Sequence, residues 1–525
     1  MKKILQNTYF QALATGLLLA GSWPTYGFPL LIFAAFVPLL MAEKTIREQG
    51  GKTKFKILVH GYITFVTWNA LTTWWLYYAS GFGMLFAVLV NALLMSFLFL
   101  LYHLAAKKTV AKVSLLFWMC LWISFEKFHL IWDFSWPWLN LGHVFASFPK
   151  WIQWYEYTGS FGGSLWVLAV NAWLFYQLSK QEKRFPAIFG KWATMIAIPI
   201  VFSLWIYSIY EEKGAEKEVI VLQPNVDPYT EKYDTPNFLI AQGLLHQTDS
   251  LITDKTEFVI APETVLAENA PYDAFYSSPA RYIMQSYVAH HPKTQLLWGI
   301  DTYQFIYDST SVQPSTNKFR DGIWVDFYNA ALFVNQKPEI QKYYKSKLVV
   351  GIENLPYKSI LEPLLGNIML DLGGTISTKT TQKDRTPFVS NDQTKVAPII
   401  CYESVYGEYV SEFVQNGAQF LAVITNDAWW NETQGHKQHL TFSILRAIEN
   451  RRDVARSANT GISAFINQRG DLTSQTKYGE KTAIRGVVHL NNQMTFYTFC
   501  GDYIAYLASF FLLLLSILIV FRKKS

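Results

Sequence analysis

Three stretches of the 525-residue chain carry a reactive side chain at or just after an apolar run. Val259-Ile260-Ala261-Pro262-Glu263 presents a carboxylate. Tyr344-Lys345-Ser346-Lys347-Leu348-Val349 presents an ammonium, with Glu353 shortly behind it. Ile399-Ile400-Cys401-Tyr402-Glu403 presents a thiol followed by a second carboxylate. A cysteine nucleophile needs a base to take its proton and a donor to hold the oxyanion of a tetrahedral intermediate. Glu263, Lys345 and Cys401 supply those three functions. Side chains at the carboxyl ends of strands converge, because the loops there converge.

Taken singly, each residue has an ordinary reading as well. Free cysteine is commonly a small buried hydrophobe, and Cys401 fits that description. Glu263 is a plausible helix-start carboxylate. Lys345 lies beside Lys342 and Lys347, and a lysine cluster is usually a solvated face. Trp429 and Trp430 suit core packing, and His439 suits a structural hydrogen bond. The three cysteines, Cys120, Cys401 and Cys500, are too widely spaced for a disulfide framework or a zinc site. No His/Cys/Asp grouping has metal-ligand spacing, so no metal and no cofactor is expected.

The elements that must position these groups follow from local pattern. Val219-Ile220-Val221-Leu222, Phe258-Val259-Ile260, Leu296-Leu297-Trp298, Ala331-Leu332-Phe333-Val334, Pro398-Ile399-Ile400 and Leu421-Ala422-Val423-Ile424 read as short buried strands. Stretches 235–253, 278–290 and 436–453 read as helices between them. Strands alternating with helices predict an α/β domain around a buried sheet. Residues 303–327 and 370–395 are rich in Ser, Thr, Asp and Lys and read as long loops.

The rest of the chain is apolar. Hydrophobic residues make up 51%, aromatics 17% and charged residues only 16%, yet the mean hydropathy is +0.12. That combination excludes a disordered chain and fits apolar spans joined to a polar domain. Spans are predicted at about 8–22, 26–42, 57–79, 82–104, 113–131, 160–178, 188–208 and 501–521. The Lys2-Lys3 start is followed by a retained first helix, since a second span follows at once. Basic residues concentrate in alternate loops: Lys44, Arg47, Lys52, Lys54 and Lys56; Lys107, Lys108 and Lys112; Lys180, Lys183, Arg184 and Lys191; and the end Arg522, Lys523 and Lys524. The positive-inside rule then puts both termini in the cytoplasm and the long polar segment outside. The expected division is a seven-span region 1–210, an outer catalytic domain 217–497, and an eighth span with a basic tail 498–525. The net charge of +6 is thereby a topology signal, and no basic stripe marks a nucleic-acid partner. Trp132, Trp136, Trp138, Trp151 and Trp154 crowd one outer connection and suit a membrane interface. Glu126 and Lys127 fall inside the fifth span. They read either as a functional pair or as groups that pair with another helix or face a wet cavity.

The order Pro262-Glu263, Lys345 with Leu348-Val349 and Glu353, then Cys401-Tyr402-Glu403 resembles the nitrilase, or carbon–nitrogen hydrolase, superfamily. Asn426-Asp427-Ala428-Trp429, His439 with Arg446-Ala447-Ile448-Glu449-Asn450, and Asn459-Thr460-Gly461 strengthen the likeness. Inside an eight-span frame, the whole chain resembles the apolipoprotein N-acyltransferase family. The resemblance implies a nitrilase-like αββα sandwich on the exoplasmic side of a bacterial inner membrane, attached to a multi-pass bundle of eight transmembrane helices. It implies Glu263 as general base, Lys345 as oxyanion stabiliser and Cys401 as nucleophile. Glu353 and Glu403 match supporting glutamates, and Tyr402 and Trp429 match residues lining the site. It also implies a phospholipid acyl donor, a diacylated apolipoprotein acceptor and a thioester intermediate. Two departures stand out. The family run Leu-Val-Pro-Phe-Gly-Glu reads Leu348-Val349-Val350-Gly351-Ile352-Glu353, and Trp430 replaces the usual Phe.

Two other functions are compatible with parts of the pattern. A membrane-tethered amidase would use the same three residues on a soluble substrate and would need no phospholipid. A transporter or sensor with an outer binding domain would show repeated Gly/Pro-interrupted helices, and no such repeat is visible in the sequence.

Overall fold

The structure, a computed structural model, describes residues 7–180, 184–358, 360–362 and 377–521. Lys2-Lys3, Lys183, residues 370–376 of the second expected loop, and Arg522, Lys523 and Lys524 lie outside the described residues. The chain divides into two compact units. One holds Met1–Tyr77, Gly81–Ile209 and Cys500–Ser525; the other holds Tyr78–Ser80 and Tyr210–Phe499.

In the first unit, helices occupy each of the eight apolar stretches. They are α1 (Thr8–Gly21), α2 (Val37–Gln49), α3 (Thr53–Thr73), α4 (Gly81–Ala106), α5 (Ala111–Phe128), α6 (Tyr155–Leu178), α7 (Phe185–Ile209) and, after the second unit, α12 (Tyr503–Phe521). Among the described residues, four helical segments are long and apolar enough to cross a membrane by length and composition: Pro29–Gln49, which includes α2 and the short turns before it, then α4, α7 and α12. Gly159, at φ 59°, interrupts the first turn of α6. The regular helix therefore starts where the apolar pattern does. The tryptophan-rich connection before it forms three tight turns, Pro137–Leu139, Leu141–Phe145 and Pro149–Trp151, and Trp138 and Trp154 are buried.

The two charged residues of α5 have separate partners. Glu126 Oε1 accepts the Leu141 N–H at 2.7 Å and the Trp122 indole N–H at 3.1 Å, so it anchors that connection. Lys127 Nζ pairs with Asp502 Oδ2 at 2.9 Å and lies over the Tyr506 ring, which ties α5 to the start of α12.

The second unit is a four-layer αββα sandwich. Its first sheet contains β1 (Ala215–Gln223), β2 (Thr256–Ile260), β3 (Leu266–Pro271), β4 (Gln295–Ile306), β5 (Asn317–Arg320), β6 (Ile323–Val334), β7 (Gln341–Tyr344) and β14 (Thr482–Leu490). The order is β14-β1-β2-β4-β6-β5, with β3 beside β4 and β7 beside β6. The second sheet contains β8 (Phe388–Val389), β9 (Lys395–Ile400), β10 (Phe420–Thr425), β11 (Val454–Ala458), β12 (Ala464–Ile466) and β13 (Leu472–Gln475), paired in sequence order. β1, β2 and β4 run parallel, as do β9, β10 and β11. Parallel strands are covered on both faces, which is why these runs are continuously apolar.

Side chains alternate between the two faces of each strand. On the outer face of the first sheet, Ile220, Leu222, Val259, Leu296 and Leu332 pack against Ala241, Leu244, Met284 and Val288 of α8 (Asn237–Asp249) and α9 (Pro279–His290). On the inner face, Phe258 meets Phe420 and Phe333 meets Phe388 across the two sheets, with ring centroids 5.2 and 5.3 Å apart. Helices α10 (Gly407–Gln415) and α11 (Gln434–Asn450) pack on the second sheet.

The expected loop at 303–327 is a correction. β4 continues to Ile306, β5 occupies Asn317–Arg320, and β6 starts at Ile323. Polar composition concealed a long hairpin because its far end is partly exposed, and exposed strands carry polar side chains on one face.

Candidate active site

The reactive groups sit at the carboxyl ends of strands from both sheets. Glu263 follows β2, Lys345 follows β7, Cys401 follows β9 and Asn426 follows β10. β4 comes unusually close to the Glu263 turn. A Cβ on Gly299 would lie 2.4 Å from both Pro262 O and Thr264 N, so only glycine fits there. Two non-glycine residues of the site have positive φ: Thr264 at 45° and Cys401 at 52°. Such backbone is costly and persists only where its surroundings enforce it.

Glu263, Lys345 and Glu353 form one buried ionic group. Lys345 Nζ lies 2.7 Å from Glu263 Oε1 and 2.9 Å from Glu353 Oε2. Asn329, from β6, donates its amide to Glu263 Oε1 at 2.7 Å and to Glu353 Oε1 at 2.9 Å. Its main-chain carbonyl accepts the Lys345 N–H at 2.8 Å, which fixes the lysine backbone as well. The Asn426 N–H reaches Glu263 Oε2 at 3.1 Å, and the Val349 N–H reaches Glu353 Oε2 at 2.9 Å. The altered loop before Glu353 therefore still delivers its carboxylate to the group.

Burial pushes the Glu263 carboxyl up, but the charge and hydrogen bond of Lys345 outweigh it and hold Glu263 below the usual range. Burial pulls the Lys345 ammonium down, and the charges of Glu263 and Glu353 more than reverse that. Burial pushes the Cys401 thiol up, and the negative charge of Glu263 adds to the effect against Lys345. At neutral pH the resting site thus holds a thiol beside a carboxylate and an ammonium. A neutral thiol resists adventitious oxidation and becomes a nucleophile only when its proton is taken.

Glu403 is directed elsewhere. Its Oε1 accepts the Tyr409 hydroxyl at 2.6 Å, the Ser346 N–H at 2.7 Å and the Tyr343 hydroxyl at 2.8 Å, while Oε2 accepts the Ile400 N–H at 2.8 Å. It ties the turn at Cys401 to the strand-end segment carrying Lys345. His439 braces the same turn: Nε2 lies 3.2 Å from the Cys401 carbonyl oxygen, and Nδ1 lies 2.9 Å from Asp427. Asp427 also pairs with Arg456 at 2.7 Å. Tyr402 is buried edge-on against Tyr406, and Trp429 lies edge-on against Tyr229. Neither belongs to the ionic group.

Sequence reasoning missed Asn329, Lys232 and the tyrosine pair around Glu403. Asn329 had a signal, since it is a polar residue inside the apolar run of β6. Lys232 had none, because it lies in a polar stretch with exposed neighbours.

The profile of the apolipoprotein N-acyltransferase N-terminal domain matches residues 15–173, and that of the carbon–nitrogen hydrolase domain matches residues 315–491. The second match includes Lys345, Glu353 and Cys401, whereas Glu263 precedes it and joins the group through space. An apolipoprotein N-acyltransferase from Chlorobaculum tepidum is 28% identical, covering 100% of this chain and 98% of its own. One from Haemophilus influenzae is 26% identical, covering 98% and 96%. A solved carbon–nitrogen hydrolase superfamily protein from Xanthomonas campestris aligns over 52% of this chain and 91% of its own, at 14% identity and a TM-score of 0.36. With both domain profiles matched in order and relatives of one name aligned from end to end, the chain is similar over its whole length to the apolipoprotein N-acyltransferases and is an acyltransferase with a carbon–nitrogen hydrolase catalytic domain.

Proposed function

We propose that the enzyme moves an acyl chain from a phospholipid to the α-amine of a diacylglyceryl-cysteine on an apolipoprotein, through a thioester on Cys401. The observation that carries the reading is the buried Glu263–Lys345–Glu353 group at the strand ends that also present Cys401. Glu263 takes the thiol proton as sulfur attacks the ester carbonyl carbon. Lys345, with backbone N–H groups, holds the negative charge that develops on the carbonyl oxygen. The ester C–O bond breaks, and Glu263 returns the proton to the departing lysophospholipid oxygen. In the second half the amine attacks the thioester carbonyl and gives a proton to Glu263. The C–S bond breaks, the amide is complete, and the proton passes back to sulfur. Glu353 holds Lys345 in place, Glu403 and Tyr402 hold the nucleophile turn, and Trp429 lines the approach.

The proposed setting is a bacterial inner membrane. The eight helices span it, both termini are cytoplasmic, and the catalytic unit faces the periplasm. Support comes from the basic loops and from apolar side chains that face outward on α7 and α12, such as Ile198, Val201, Leu513 and Leu518. Both substrates carry acyl chains, and exposing each CH₂ to water costs about 0.8 kcal/mol. A membrane-side site lets those chains remain in lipid.

Incubation with phospholipid alone should add one acyl mass to Cys401, removable by hydroxylamine, and Cys401→Ala should abolish transfer. Absence of the adduct in an enzyme that demonstrably transfers acyl chains would sink the two-step scheme.

A further inference from the structure

The ionic group has an unbalanced charge. Glu263 and Glu353 are two carboxylates sharing one ammonium, Lys345. Lys345 keeps Glu263 ionised, but a group with a net negative charge opposes the formation of another anion, the Cys401 thiolate, beside it unless further positive charge is near.

The other charged groups nearby are already occupied. Asp301 pairs with Lys379 at 2.7 Å. Asp427 pairs with Arg456 and meets His439. Glu403 is enclosed by four donors.

Lys232 differs from all of these. It is 6% exposed, although Glu231, Tyr233 and Asp234 around it are exposed. Its ammonium donates to Thr264 Oγ1, on the residue after Glu263. It also lies 5.8 Å from the ring centroid of Trp429 and 5.4 Å from that of Tyr233. Among the described residues it has no contact ion pair. A buried lysine without one is rare and needs an electrostatic reason. Burial pulls its ammonium below the ordinary lysine range, against the attraction of Glu263 and Asp301.

We propose that Lys232 is a positioning residue and the second cation of the acyl-transfer site: seated on Thr264 and against Trp429, it sets a second positive charge beside the carboxylates of Glu263 and Glu353 and favours the Cys401 thiolate as it forms. This rests on Cys401 being the nucleophile. The seating also gives Trp429 a function beyond lining the site, since its ring faces a cation that water reaches poorly.

The test needs no acyl donor, so its outcome is separate from that of the phospholipid reading. The full-length enzyme is treated with iodoacetamide at pH 8, and the Cys401 adduct is followed by peptide mass spectrometry, because Cys120 and Cys500 are also free thiols. In Lys232→Met the alkylation rate of Cys401 should fall about tenfold, the effect of one pKa unit on the thiolate fraction. Lys232→Arg keeps the charge and should stay within about threefold of wild type. A merely structural staple gives the opposite sign: losing it loosens the site around Cys401, and alkylation speeds up. An unchanged or faster rate in Lys232→Met overturns the proposal. An equal fall in Lys232→Arg overturns it too. If Lys232→Met elutes as aggregate, Lys232→Gln, which retains a donor for Thr264, takes its place under the same criteria.

Discussion

Asn329 shows how much one neutral side chain can do at this site. Its amide donates to both carboxylates of the ionic group, while the main-chain carbonyl of the same residue separately holds the Lys345 N–H. Hydrogen bonds to charged groups contribute about 1.5–3 kcal/mol each. Asn329→Ala should therefore slow formation of the Cys401 adduct by roughly 10- to 100-fold with the fold retained. A rate within twofold of wild type would remove Asn329 from the machinery. Asp427 makes a pH-dependent contribution. Burial raises its carboxyl, but the charges of Arg456 and His439 outweigh that and hold it well below the usual range. A carboxyl depressed in the folded state stabilises fully above its unfolded value of about 4 and loses that contribution as pH falls towards the folded value. Thermal stability should thus drop steeply below about pH 4 in wild type and less steeply in Asp427→Asn, which is already weaker at pH 7. Parallel slopes in the two proteins would contradict the assignment.

At the scale of elements, the close contact between β4 and the Glu263 turn is the most exacting feature. Gly299 leaves room for Pro262 O and Thr264 N, and the carboxylate is aimed by that fit. Gly299→Ala must push the turn away from β4. A displacement of about 1 Å at a reacting group costs on the order of 100-fold in rate. The expected result is an enzyme that melts cooperatively but transfers acyl chains about two orders of magnitude more slowly. Wild-type activity would mean that the turn relaxes without moving Glu263. The hairpin of β4, β5 and β6 has a similar lesson. Its polar residues read as a loop, yet β6 carries Asn329 into the site from within that hairpin. Periodicity reports which face is buried, and a half-exposed strand weakens that report.

For the whole molecule, the proposed orientation makes opposite predictions for two exposed positions. Lys52 lies in a basic loop between α2 and α3, and Tyr307, 70% exposed, follows β4 in the catalytic unit. In a Cys500→Ser background, a membrane-impermeant maleimide added to spheroplasts should label Tyr307→Cys and leave Lys52→Cys unlabelled until the membrane is opened. The reverse pattern would invert the topology. The ion pair between Lys127 and Asp502 belongs to the same scale, because it joins α5 to the helix that follows the catalytic unit across 375 residues of sequence.

Local pattern in the sequence marked six strands of the second unit (β1, β2, β4, β6, β9 and β10) and three of its helices, but not the shorter strands or the full length of β4 and β6. It also placed Glu263, Lys345 and Cys401 at or just past strand ends, because burial periodicity and turn residues are short-range properties. The positions of the eight apolar stretches were legible for the same reason. Only the tertiary structure decided which groups share a charge. Lys345 meets Glu263 across 82 residues, Asn329 bridges two carboxylates, and Lys232 leaves an exposed stretch to lie buried on Thr264. The same level decided that Glu403 supports the turn at Cys401, while Glu353 joins Lys345. Composition and spacing do not contain those assignments. They depend on how two sheets stack and on the register of their strands, and a one-residue slip would turn every side chain to the opposite face.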